Sequence, residues 1–76
     1  MTLDKLPVGQ NAVITKVGGE GELRCRILDM GLIPKTKVTV RKIAPMGDPI
    51  EIHVRDYALT IRKEDARNIA VEEVSA

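Results

Sequence analysis

The chain has 76 residues, 43% of them hydrophobic and 30% charged, with a net charge of +1 and a pI near 7.9. That is room for one domain over residues 1–76 and one small core, and it excludes a cleft walled by two lobes. The near-neutral balance argues against a strong nucleic-acid binder, whose domain pI typically exceeds about 9, and no apolar run approaches the roughly 18 residues of a membrane span.

With no Phe, no Trp and one Tyr, the core must be aliphatic. The start, Met1 to Pro7, lacks the basic and apolar regions of a secretory signal. A single cysteine, Cys25, cannot form an internal disulfide, which fits a reducing cytoplasm. Residues 23–63 hold nine bases and four acids, and the two ends hold three bases and seven acids. The plain reading is two solvated faces of opposite sign; the sharper one is a basic patch for an acidic partner.

In chain order, Leu3 and Leu6 precede a turn at Pro7-Val8-Gly9-Gln10. Asn11–Val17 reads as a strand, with Val13, Thr15 and Val17 on one face and Ala12, Ile14 and Lys16 on the other. Gly18-Gly19-Glu20-Gly21 fits neither phosphate-binding glycine pattern and reads as a turn. Glu22–Met30 takes helical spacing through Leu23, Ile27 and Met30, with Arg24 and Arg26 outward and Cys25 at the boundary of core and solvent. Gly31 stands where a left-handed residue ends a helix, and Pro34 follows.

Three strand-like runs come next: Lys37–Ala44, Ile50–Val54 and Tyr57–Ile61. Alternation places Tyr57 with Leu59 and Ile61 in the core set. Arg55-Asp56 is a two-residue hairpin connection, in which Asp tolerates positive φ better than Arg. Arg62–Asn68 is a short helical turn, and Ile69–Val74 is the last strand. Five short strands, one helix after the first and one helical turn before the last make a small, mostly β barrel, whose closure removes exposed strand edges.

Little here supports catalysis. Ser75 sits in the tail and Cys25 has no base beside it, so the chain reads as a non-enzyme. His53 and Glu51 share a strand face, and with Asp48 they form a weak candidate set for a divalent metal; the plainer reading of His53 is a solvated strand residue. Basic residues occur without the stacking aromatics of a nucleic-acid-binding barrel. The loop Ala44-Pro45-Met46-Gly47-Asp48-Pro49 is rigid and defined, with Met46 at its tip. A methionine there either folds back over the barrel end or contacts a partner. Asp48 is placed to close the turn through its carboxylate.

Leu28-Asp29-Met30-Gly31-Leu32-Ile33-Pro34, Val38-Thr39-Val40, Ala44 to Ile50 and Leu59 to Ile69 together resemble the FeoA family, small cytoplasmic proteins of bacterial ferrous iron transport. The resemblance runs over residues 3–74 and lies in the order and spacing of these segments. It implies an SH3-like β-barrel with an inserted helix, a fold shared with the C-terminal domain of repressors resembling the diphtheria toxin repressor. It also implies a non-catalytic accessory role toward the FeoB membrane permease, whose cytoplasmic part carries a GTPase domain. No cofactor is required; recruitment would be to the inner face of the membrane. Candidate partner contacts are Met46, Leu32, Arg41 and Lys42, an apolar anchor ringed by charge. The competing function is a transition-metal-binding or metal-sensing module that takes Fe2+ or a surrogate through His53, Glu51 and Asp48. Self-association is a further option for so small a core. One departure stands out: the family usually has Gly after the proline of the post-helix turn, where this chain has Lys35. Lys35 implies either a type I turn or a strained residue.

Overall fold

Alternating apolar residues pair into five antiparallel strands: β1 (Asn11–Val17), β2 (Lys37–Ile43), β3 (Ile50–Val54), β4 (Tyr57–Ile61) and β5 (Ile69–Glu73). The computed structural model describes residues 1–74; Ser75 lies outside them. The strands form one sheet in the order β4-β3-β2-β1-β5. Helix α1 (Gly21–Asp29) joins β1 to β2, and α2 (Lys63–Ala66) precedes β5.

Two bulges bend the sheet and reset its alternation. In β1 the register shifts between Ile14 and Lys16. Ala12 and Ile14 face inward before the shift and Val17 after it. An extra residue at a bulge reverses the parity of those that follow, so the buried set is not the Val13-Thr15-Val17 face of the simple pattern. A second shift lies between Val40 and Lys42 in β2, where Val38 and Val40 are buried and Ile43 is half-buried.

The barrel is not closed by hydrogen bonds, since β4 and β5 stand at opposite ends of the sheet. A 3₁₀ turn at Leu3–Lys5 packs on α2 and β5, and Leu3 and Leu6 are buried there. They join a wholly aliphatic core with Ile14, Ile27, Val40, Ile52 and Ile69. Truncating one such Leu or Ile to Ala costs about 2–5 kcal/mol.

Helix α1 ends as its glycine predicts. Gly31 takes φ 89. Its N–H donates to the Leu28 carbonyl at 3.0 Å, and Leu32 N–H donates to the Ile27 carbonyl at 3.3 Å. These are the two bonds of a Schellman cap, which satisfy carbonyls left without helical partners. Cys25 is exposed on α1 rather than at the core boundary. Arg26 does project outward, but its Nη2 reaches Oδ1 of the buried Asp65 at 2.9 Å, tying α1 to α2.

Tyr57 departs from the core set. It is 42% exposed, and its hydroxyl donates to the Met30 carbonyl at 2.8 Å. In the adjoining hairpin turn, Arg55 rather than Asp56 adopts positive φ, at 55.

Candidate functional site

The loop 44–49 is built by its own backbone. Gly47 N–H donates to the Ala44 carbonyl at 2.7 Å, closing a turn with Pro45 and Met46 at its centre. Gly47 follows at φ 83, a conformation glycine adopts without steric cost. Ala44 N–H bonds the Pro49 carbonyl at 3.1 Å and closes the base. This frame lifts Met46 into solvent at 90% exposure, so the side chain does not fold back over the barrel end.

The Asp48 carboxylate does not close its own turn. Oδ1 accepts the Lys63 backbone N–H at 2.9 Å, satisfying a free amide at the start of α2. That bond fastens the loop to the body of the fold. Beside it lies a shallow cleft of about 220 Å³ lined by Lys42, Ala44, Pro49, Glu51 and Thr60. Lys42 and Glu51 are cross-strand partners on β2 and β3. Arg41, at the β2 bulge, is exposed, as is Lys42.

Three of the four expected partner residues therefore lie exposed on the loop and the strand leading into it. Leu32 does not: it is wholly buried. It follows the left-handed Gly31, and the residue at that place of a Schellman cap commonly packs back on the helix. Thr60 and Lys63 complete the surroundings of the loop; strand pairing and the Asp48 bond, both long-range, bring them there.

The three proposed metal ligands are not gathered into one site. Glu51 and His53 do share the outward face of β3. They open into different clefts: Glu51 into the one beside the loop, His53 into another of about 250 Å³ with Asn11, Lys37, Thr39 and Arg55. Asp48 is held by Lys63 N–H. Among the described residues no group of three His, Cys, Asp or Glu could hold a metal ion. As arranged, this set does not fit one.

At the post-helix turn Lys35 takes φ 75, the strained alternative of the sequence reading. The backbone here is fixed by long-range bonds: Lys35 N–H donates to the Ile14 carbonyl at 2.7 Å, and Ile14 N–H donates to the Thr36 carbonyl at 2.9 Å.

The FeoA domain family model matches residues 1–73. A Porphyromonas gingivalis protein described as a fusion of Fe(2+) transport protein A and Fe(2+) transporter FeoB is 42% identical over 76 residues. The match covers 100% of this chain and 9% of the fusion, so the chain spans under a tenth of that relative. The FeoA-like protein of Clostridium acetobutylicum superposes with a TM-score of 0.92 at 32% identity, covering 100% of this chain and 88% of that one. FeoA of Stenotrophomonas maltophilia, solved with zinc and described as an SH3 domain protein and candidate ferrous iron transport activating factor, gives 0.83 at 24%, over 95% and 89%. A manganese-dependent transcriptional repressor shares the fold alone, with a TM-score of 0.88 at 11% identity over 96% of this chain and 40% of that one.

Proposed function

The chain belongs to the FeoA family, linked to ferrous iron transport, and from that premise we propose that it is a non-catalytic accessory domain that binds and modulates a FeoB-type iron permease. The observation that carries this reading is the Porphyromonas gingivalis fusion, in which a homologous segment and the transporter share one chain. Fusion places two partners at high effective concentration, an arrangement that suits domains that act together. In this reading the domain works in the cytoplasm at the inner face of the membrane, and requires no cofactor.

The contact surface is the loop 44–49 with its basic approach. Met46 supplies an unbranched, adaptable anchor, held out by a fastened loop and so presented without a large ordering cost. Arg41 and Lys42 set the charge around it, and the cleft beside Pro49 receives a side chain of the permease. The test is titration of this protein onto full-length permease in nanodiscs, without nucleotide and with GDP or a GTP analogue. Saturable binding is expected, weakened at least about tenfold by Met46→Asp, since hot-spot anchors are worth about 2 kcal/mol or more. Absence of binding in every nucleotide state overturns the reading.

A further inference from the structure

We propose that the outer edge of β4 is a self-recognition strand, through which two copies of this chain pair antiparallel across a two-fold axis at Leu59. This inference rests on observations separate from those of the permease reading, although Thr60 also lines the cleft beside the loop. It begins with the two ends of the sheet, which are treated differently. At the β5 end the N-terminal residues cover the edge: Thr2 bridges Ala70, and Val71 N–H donates to the Met1 carbonyl at 2.8 Å. At the β4 end, among the described residues, no backbone group bonds the outer edge. A bare edge is a template for another strand, and folded chains usually blunt it with charge or proline. β4, Tyr-Ala-Leu-Thr-Ile, has neither, and it alone of the five strands carries no charged residue.

The hydrogen-bond alternation fixes which groups face out. Val54 and Tyr57 flank the two-residue turn. Such a turn is closed by a hydrogen-bonded pair, and bonded and non-bonded pairs alternate along an antiparallel ladder. Tyr57, Leu59 and Ile61 therefore spend their backbone groups on β3, while Ala58 and Thr60 aim theirs away from it. An axis at Leu59 sets Ala58 of one copy opposite Thr60 of the other, twice. Both residues have outward N–H and C=O groups, so four ladder bonds form with no slip.

Side chains agree with the same register. Leu59 meets its own copy as a non-hydrogen-bonded pair, in which side chains approach more closely. Tyr57, 42% exposed in the single chain, stands opposite Ile61 of the second copy, which is 3% exposed, so it lays its ring over the rim of that copy's core. Beyond the strand ends, Asp56 comes to Arg62 of the second copy, again twice, and Arg62 is still in extended backbone at φ −80 and ψ 150. The like-charged Arg55 and Lys63 fall one step farther out. An uncharged ladder flanked by opposite charges is self-complementary, as an isologous interface requires.

The experiment is sedimentation equilibrium of the full chain across a concentration series, with amide hydrogen exchange. A monomer–dimer equilibrium is expected, with Ala58 and Thr60 amides slowing as concentration rises. Thr60→Pro removes an outward N–H that β3 does not use, so it should spare the fold and abolish the dimer. Asp56→Arg should weaken association about tenfold, since opposed like charges replace two ion pairs, and Asp56→Arg with Arg62→Asp should restore it. A chain that stays monomeric to about 1 mM overturns the proposal. So does a dimer indifferent to Thr60→Pro, or one that Asp56→Arg weakens and the double exchange fails to rescue.

Discussion

Replacing Lys35 by glycine should stabilise this protein. The residue holds φ 75 between Pro34 and the buried Thr36. Its amide bond to Ile14 and the return bond from Ile14 to Thr36 keep the backbone there whatever side chain it carries. A left-handed conformation costs a non-glycine residue about 1–2 kcal/mol. Glycine escapes that cost but gives up about 0.5–1 kcal/mol to its freer unfolded chain. Lys35 is exposed, so little burial is lost with its side chain. Taken at the middle of each range, the net gain for Lys35→Gly is about 0.75 kcal/mol, or about 3–6 °C in Tm for a domain of this size. Urea titration by circular dichroism reads it, with Lys35→Ala as control. Alanine removes the charge and the stem but keeps the strained φ, so it should stay within about 0.5 kcal/mol of the natural chain. If glycine is neutral or destabilising, or if alanine gains as much, backbone strain is not what Lys35 contributes.

Three further substitutions probe separate features. Gly31→Ala combines positive φ with a Cβ that would lie 2.5 Å from the Tyr57 hydroxyl; a loss of about 2 kcal/mol or more in urea unfolding is expected. Thr36→Val replaces a buried hydroxyl whose Oγ1 has no hydrogen-bond partner among the described residues. It should be neutral or stabilise by up to about 1 kcal/mol, measured by the same titration, because an unpaired buried polar group costs free energy. Arg26→Met strips the partner from the buried Asp65 carboxylate while keeping an apolar stem. A loss of about 1 kcal/mol by thermal unfolding is expected, with Arg26 half exposed and its pair correspondingly screened.

Much of the fold was legible because its signals are local. The bounds of β3 and β4 follow from strict alternation across a two-residue turn, and Gly31 marked the helix end through its need for positive φ. Lys35 carried a signal too, as a residue where the family pattern has glycine. The misplacements share one cause: coverage is a long-range property. Alternation assigned Tyr57 to a face, yet β4 ends the sheet, and among the described residues no further strand covers its outer side. Leu32 looked free beside Ile33 because the turn that folds it inward reads as loop. Its position after Gly31 held the clue, since a hydrophobic residue there commonly packs on the helix. The bulge in β1 left no mark in the alternation of Val13, Thr15 and Val17.

The same distinction runs through the candidate site. Two prolines and a glycine announced a defined loop around Met46, and its exposure follows from the turn they make. The bond from Asp48 to Lys63, fifteen residues on, is invisible to spacing, and it is what fastens the loop. Glu51 and His53 share a face by period two, but the clefts they enter are set by β1, β2 and β4 neighbours.

Binding to the permease decides the central claim. Full-length FeoB-type transporter in nanodiscs, titrated with this chain and with Met46→Asp in each nucleotide state, gives the most direct reading. Saturable binding that Met46→Asp weakens at least about tenfold, with the variant's own unfolding curve unchanged, is the predicted result. Binding that ignores Met46→Asp would contradict the loop as the contact surface, and no binding in any nucleotide state would contradict the accessory role itself.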